Sequence, residues 1–332
     1  MKTNVICISP VKNEAWILKH FIECAREWAD VIILGDHNST DDSVAFARQY
    51  DNVRIVHHDL DFDEGARRKL LTDEARKIAG RRLIVAIDAD EMLSANWNRS
   101  PEWPRMLSSP PGTRFVFDWV ELMPGLQRYT ASAIVAAMID DETEYVSVPI
   151  HSRRVPVASG EAVKLTDIKL LHYISIDPQR MLSKLRWYKC LETIEFSARA
   201  WDLCVSYHDT TVEAGQPTLP VQEEWIDGYQ WLDQYRTASC DTGHHWWDEE
   251  VLAYFDSYGT RRFRRLNIWD VDWSAKAQAM GMQRTYRDPR SRFEVAAHRF
   301  IEKHARELRL RKRFAWKLFN KLVRPLVSVL GW

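Results

Sequence analysis

The chain has 332 residues, 45% hydrophobic and 28% charged, with a formal net charge of −1. That is enough apolar material for one large core or a main domain with an appendage, and no run approaches the ~20 apolar residues of a membrane span. Cys7, Cys24, Cys190, Cys204 and Cys240 show no CxxC or zinc-like pairing and read as reduced thiols of a cytosolic protein; Met1-Lys2-Thr3-Asn4 leads straight into a short strand, so no leader is expected.

Strand and helix alternate over the first part of the chain. The apolar run Val5-Ile6-Cys7-Ile8 predicts a buried strand, closed by Ser9-Pro10-Val11-Lys12-Asn13-Glu14. Residues 15–29 have helical spacing, with Ile17, Leu18, Phe21, Ile22, Ala25 and Trp28 on one face. Val31-Ile32-Ile33-Leu34 predicts a second strand, ending in Gly35-Asp36-His37-Asn38-Ser39-Thr40-Asp41-Asp42. Ser39 or Thr40 would cap the next helix, with Asp41 and Asp42 in its first turn. A weaker strand covers 53–56 and an Arg- and Lys-rich helix 63–79. Leu83-Ile84-Val85-Ala86-Ile87 then predicts a strand covered on both faces. This alternation implies an α/β fold, a mostly parallel sheet whose polar clusters all fall after strands, on one rim.

At the tip of the last of these strands stand Asp88-Ala89-Asp90. Open α/β sheets bind ligands at the carboxyl ends of their strands. Two aspartates one residue apart can diverge there, one toward a hard divalent cation, the other toward a sugar hydroxyl or bound water. Mg²⁺ and Mn²⁺ favour a few carboxylates plus phosphate oxygens, so the pattern reads as a metal–diphosphate site.

The succession of Ser9-Pro10-Val11-Lys12-Asn13-Glu14, Asp36-His37-Asn38-Ser39-Thr40-Asp41 and Asp88-Ala89-Asp90-Glu91 resembles glycosyltransferase family two, with its GT-A fold, and most of all the bacterial members that build lipopolysaccharide cores and surface polysaccharides. The resemblance implies a Rossmann-like nucleotide-diphospho-sugar transferase domain. By that resemblance Pro10, Lys12 and Glu14 line the nucleotide pocket, Asp36 accepts from the base N–H, Asp88 binds the ribose or a metal-bound water, and Asp90 binds Mn²⁺ or Mg²⁺. Arg67 or Arg68 faces the diphosphate. His172, after Lys169-Leu170-Leu171, resembles a family histidine that touches metal or diphosphate, and Lys184 a lysine for the leaving diphosphate. The implied reaction transfers a sugar from a nucleoside-diphosphate donor, by resemblance a uridine one, to a glycan or lipid-linked acceptor with inversion.

Inverting transfer needs a carboxylate to take the acceptor proton. In similar sequences a Glu often follows the His of a segment like Ile150-His151; here Ser152 does. Asp118, Glu121 and Glu142 are replacement candidates for the base, which stays unassigned.

The second half is rich in tryptophan, including Trp187, Trp201, Trp225, Trp231, Trp246, Trp247, Trp269 and Trp273, out of 15 in the chain. Aromatic faces suit a sugar acceptor, though large aromatics mostly fill cores. His244 and Asp248 are one helical turn apart, without further metal ligands nearby in sequence. Thr210 to Pro220 is the best linker candidate. The expected organisation is therefore 1–210 transferase domain, 211–290 helical, Trp-rich appendage, and 291–332 basic amphipathic helix. Between Arg284 and Arg324 there are 14 Lys or Arg against 4 Asp or Glu, interleaved with aromatics, which suits an anionic membrane surface at the inner face of the plasma membrane. No nucleic-acid-binding motif accompanies it.

Other classes fit less well. A nicotinamide dehydrogenase needs G-x-G-x-x-G in the first loop, which has no glycine. An aspartate-nucleophile phosphatase carries its pair on the first strand, and a sugar nucleotidyltransferase a glycine- and arginine-rich first loop. A non-catalytic relative that binds nucleotide sugar or scaffolds a membrane assembly is the alternative, supported by the unassigned base.

Overall fold

The structure is a computed structural model that describes residues 2–60, 63–207, 218–236, 245–310, 317–318, 321–323 and 325. Its first elements are β1 (Thr3–Val11), α1 (Ala15–Ala25), β2 (Val31–Asp36), α2 (Ser43–Ala47), β3 (Val53–His57), α3 (Glu64–Arg76) and β4 (Arg81–Ala86). The four strands pair in parallel in the order β3-β2-β1-β4.

Alternation along these strands sorts the core into two layers. Val5, Cys7, Ile32, Leu34, Leu83 and Val85 pack with Ile17, Leu18, Phe21 and Ile22 of α1. Ile6, Ile8, Ile33, Ile84 and Ala86 pack with Leu71 and Ala75 of α3 on the other face. Helix α3 starts where the sequence offers a cap, the Asp63 carboxylate accepting from Ala66 N at 2.8 Å.

Beyond β4 come β5 (Glu91–Leu93), α4 (Glu102–Ser108), β6 (Arg114–Leu122), β7 (Arg128–Ile139) and β8 (Ala162–His172). They extend the sheet as β4-β7-β6-β8-β5. Here β7 runs antiparallel to β4 and β6, β8 parallel to β6, and β5 antiparallel to β8. The α/β class expected from the sequence is what is observed, with a Rossmann-like parallel half and a mixed half.

The remaining elements are α5 (Pro178–Glu195), α6 (Ala200–Ser206), β9 (Leu219–Pro220), α7 (Trp246–Tyr258), α8 (Trp273–Ala279) and α9 (Arg292–Leu310). The chain divides into two compact units, one of Met1–Asp177 with Pro217–Thr242, the other of Pro178–Gln216 with Gly243–Trp332. This differs from the expected boundaries at 210 and 290. Helices α5 and α6 belong to the helical unit, and the chain then returns to the sheet. Leu219 and Pro220 pair with Tyr129 and Arg128 of β7, and Trp225, Ile226, Leu232 and Tyr235 join the sheet's core. Most of the anticipated linker lies outside the described residues.

In the helical unit the tryptophans fill the interior. Trp246 meets Trp187 at 5.4 Å and Trp247 at 5.0 Å between ring centres, and Phe255 stacks on Trp269 at 5.1 Å. Ser291 and Glu294 form a capping box that opens α9: Ser291 N donates to Glu294 Oε2 at 2.7 Å and Glu294 N to Ser291 Oγ at 3.3 Å. Ile301 and Ala305 of α9 are buried against Trp201, Cys204 and Val205 of α6. The first part of the basic tail thus buries Ile301 and Ala305 within the helical unit, while Phe293 of α9 is exposed; Phe314, Trp316 and the chain's last residues lie outside the described set. So does His244, while Asp248 pairs with Lys276 at 2.6 Å. Among the described residues no helix is long and apolar enough to cross a membrane.

Candidate active site

The carboxyl ends of β2, β1 and β4 lie side by side, so the three polar clusters share one rim. The first two loops are stitched together. Asn13 N donates to Ser39 Oγ at 3.0 Å, Glu14 N to Ser43 Oγ at 2.9 Å, and Ala15 N to Asp41 Oδ2 at 2.9 Å. In return Asn13 Oδ1 accepts from Thr40 N at 2.7 Å. Ser39 therefore serves the first loop, while Asp41 serves both that loop and helix α2, its Oδ1 accepting from Ser43 N at 3.0 Å where α2 begins.

Pro10 lies within β1, in register with Gly35. The Glu14 carboxylate accepts from Trp16 Nε1 at 2.7 Å. Asp36 is buried; one oxygen accepts from Ser39 N at 3.2 Å, and the other lies 3.0 Å from His57 Nδ1. Beside it His37 and His58 stack at 5.2 Å. Burial, then the charges of Lys12 and Arg67, push the His37 imidazole down to about 4, and burial and Arg67 lower His58. Both shifts favour the neutral imidazole, against the nearby Asp36 carboxylate.

The tip of β4 carries the densest charge. Asp88 Oδ1 accepts from Arg68 Nη2 at 2.5 Å and Asp88 Oδ2 from Arg154 Nη2 at 3.2 Å. Arg154 grips Glu91 with both of its terminal nitrogens, Nη2 to Oε1 at 2.6 Å. Glu91, fully buried, also accepts from Asp88 N at 2.9 Å and Trp119 Nε1 at 2.7 Å. Burial opposes the charge on Arg154, yet Glu91, Asp88 and Asp90 together make it hold its proton more tightly than an ordinary arginine.

Asp90 and His172 form the other half. Asp90 Oδ2 lies 3.4 Å from His172 Nε2, and both side chains are buried. Strand pairing brings them together, because β5 follows Asp90 and sets Glu91 opposite His172. Trp119 stacks on the imidazole at 4.7 Å. Burial disfavours the imidazolium of His172, but the carboxylates of Asp90, Glu91 and Glu121 outweigh it and raise the histidine's pKa.

The structure thus brings Asp88, Asp90, Arg68 and His172 to one place but separates their roles. Asp88 is engaged by two arginines, and Asp90 pairs with His172. Among the described residues no group of three or more His, Cys, Asp or Glu is arranged to hold a metal ion. The three residues expected as metal ligands, Asp88, Asp90 and His172, are thus not gathered into such a group. Of the two arginines named for the diphosphate, Arg68 is buried beside Asp88, while Arg67 is partly exposed and reaches back to Asp63 O at 3.4 Å. Lys184 belongs to the helical unit, where its Nζ lies 5.6 Å from the Trp247 ring centre.

The base candidates part company too. Glu121 is in register with His172 and accepts from Ser175 Oγ. Asp118, three residues earlier on the same strand, falls on the opposite face and pairs with Lys164 at 2.9 Å and Lys169 at 2.8 Å. Burial would raise its pKa, but those lysines hold it below the usual carboxylate range, which makes it a weak base. Glu142 is mostly exposed and bonds Arg82 at 2.9 Å, at the start of β4 and about 20 Å along the strand from Asp88.

Arg154, Trp119 and the role of Glu91 escaped the sequence reading. Arg154 comes from the irregular segment between β7 and β8, where no periodicity marks a position. Its one signal is indirect, since a glutamate in the apolar β4–β5 corner requires a cationic partner.

No protein-family model and no curated protein sequence matches the chain. Solved structures align with the chain, in whole or in part, at low identity. Residues 1–349 of TarS from S. aureus align over 92% of this chain and 92% of theirs, with 8% identity and a TM-score of 0.37. HddC from Yersinia pseudotuberculosis aligns over 52% of this chain and 93% of its own, with 11% identity and a TM-score of 0.32. Glucosyl-3-phosphoglycerate synthase from Mycobacterium tuberculosis, in complex with phosphoglyceric acid, aligns over 36% of this chain and 44% of its own, with 18% identity and a TM-score of 0.27. The chain thus spans less than half of that synthase.

Proposed function

We propose that the protein is a metal-dependent glycosyltransferase that moves a sugar from a nucleoside-diphosphate donor, a uridine one by the family resemblance, to a glycan or lipid-linked acceptor, with inversion. The observation that carries this reading is the buried Asp90–His172 pair, 3.4 Å apart, at the strand tip where Arg68 and Arg154 flank Asp88. A carboxylate–imidazole pair beside concentrated positive charge suits a divalent cation with a diphosphate better than it suits a neutral ligand.

In this reading Asp90 and His172 hold Mn²⁺ or Mg²⁺, whose chemistry when bound is to neutralise charge on the leaving diphosphate. Asp88, about one-third exposed, offers its outer lone pairs to a ribose hydroxyl. Asp36 and the first loop line the base, and Arg68 adds positive charge beside the diphosphate. Glu121, beside His172, is the carboxylate best placed to take the acceptor proton. The setting we favour is surface polysaccharide synthesis at the cytoplasmic face of a membrane, supported by the basic composition of 284–324.

Calorimetric titration of UDP and GDP with Mn²⁺ or with EDTA tests the reading in wild type and Asp90→Ala. Metal-dependent binding of one nucleotide, lost in the variant, supports it. Failure of both nucleotides to bind wild type with metal present overturns it in favour of a non-catalytic scaffold.

A further inference from the structure

Arg154 stands apart from the other cations of the rim because of how completely it is held. Its guanidinium forks onto both oxygens of Glu91, and its carbon lies 5.6 Å from the centre of the Trp119 ring. Trp119 in turn is fixed by its bond to Glu91 and its stacking on His172. The anchor is therefore buried and rigid. Among the described residues the one further hydrogen bond of this guanidinium is to Asp88 Oδ2, at 3.2 Å, and Asp88 is the partly exposed member of the group.

The segment that delivers Arg154 is itself tied to α3. Glu64 N donates to Pro149 O at 2.8 Å, Gly65 N to Val148 O at 3.1 Å, and Ser152 N to Glu64 Oε2 at 3.2 Å. Tyr145, buried, bonds Ser152 Oγ at 2.9 Å and donates to Arg153 O. The same helix carries Arg68, which reaches the other oxygen of Asp88. Asp88 is thus fixed from two directions by one helix-and-strap assembly.

We propose that Arg154 is a positioning residue of the donor site. Anchored on Glu91 and Trp119, it orients the Asp88 carboxylate toward the nucleotide, and it acts on binding through Asp88 rather than by touching the ligand. The inference rests on the reading of Asp88 as a nucleotide-binding residue. A bidentate, planar fork is needed for this; a lysine keeps the charge but grips one oxygen at a time.

The test is a double-substitution cycle on UDP affinity with Mn²⁺, measured by calorimetry for wild type, Arg154→Lys, Asp88→Asn and the pair, with thermal melts of each. The expected result is a loss of about tenfold for Arg154→Lys in the wild-type background and little further loss when Asp88 is already Asn, because contacting residues couple and independent ones add. If Arg154→Lys fails to fold, Glu91→Gln with Arg154→Met removes both buried charges and takes its place in the same cycle. Wild-type affinity in the Arg154 variant, or the same loss with and without the Asp88 carboxylate, overturns the proposal. If wild type binds neither UDP nor GDP, the transferase reading fails first, a result separate from either of those.

Discussion

Asn13 holds Thr40 through a 2.7 Å bond from the Thr40 backbone nitrogen to the Asn13 side-chain oxygen, and so fixes the second loop of the rim against the first. Asn13 sits at φ 54°, in the left-handed region that asparagine tolerates better than most residues. The two demands separate by substitution. Asn13→Gly keeps the backbone geometry and loses the acceptor, and Asn13→Ala loses both. Glycine is expected to cost about 1–2 kcal/mol of stability and alanine about 1 kcal/mol more, read from urea melts. UDP affinity falls in both, since both free the loop that carries Asp36.

Glu121 and Asp118 stand three residues apart on β6 yet face different sides of the sheet. Glu121→Gln is expected to lower kcat by about 10²-fold or more with KM for the donor little changed, the signature of a lost general base. Asp118→Asn leaves kcat within about twofold and lowers stability by ~1 kcal/mol or less, because its lysine partners are partly exposed. Steady-state kinetics on any acceptor that supports turnover decide the matter; equal kcat losses in both variants would defeat the assignment.

Glu102 offers a pH-dependent stability contribution remote from the rim. Its carboxylate accepts the backbone N–H groups of Thr166, Asp167 and Ile168 at 2.7, 3.0 and 2.9 Å, so it ties α4 to β8. Burial would raise its pKa, but those three bonds together lower it below the ordinary 4.5. A depressed folded value means the contribution is complete above the unfolded pKa and is lost as pH falls through the folded one. Glu102→Gln should therefore cost about 1–3 kcal/mol at neutral pH, and the gap to wild type should close as the pH falls through the depressed carboxyl pKa, below its ordinary value of 4.5. Paired urea melts at neutral and acid pH give the answer.

Much of the parallel half was legible because its signals are local. Val5 to Ile8, Val31 to Leu34 and Leu83 to Ala86 are apolar on both faces, and Asp63 announces the start of α3. The carboxylates at strand ends followed from those strands, whereas His172 was marked only by the family resemblance. What escaped depends on distant pairing. Glu121 and Asp118 could be assigned to opposite faces by alternation, but which face meets His172 is set by the register of β6 with β8. The division into two compact units was hidden for a related reason: composition marks where a chain leaves a domain, whereas the return of 218–236 to the sheet rests on a two-residue strand and a few aromatics.

The buried thiols give a prediction about access. Burial pushes Cys24 up to about 12 and Cys204 to about 11, and raises Cys7 and Cys190 further. Thiolate is the reactive form, so all four should resist alkylation near pH 8 in the folded protein and react once urea unfolds it. Mass mapping of labelled peptides checks this. Rapid native labelling of Cys7, at the centre of β1, would contradict the packing of the parallel half.

Gly65 tests whether the strap that carries Arg154 is as closely fitted as it looks. A Cβ there would fall 2.4 Å from Ser147 Oγ and from Val148 N, and 2.6 Å from Val148 O, so backbone would have to move. Gly65 is inside α3, where alanine alone would favour the helix by about 1 kcal/mol. Gly65→Ala should nevertheless destabilise, by about 1–3 kcal/mol, because the clash with the strap outweighs the gain in propensity. Amide exchange should rise at Gly65 and Ser152, whose N–H groups bond across this contact, and stay unchanged in β1 and β4. A stabilised variant with unchanged exchange would show that the strap rides loosely on α3.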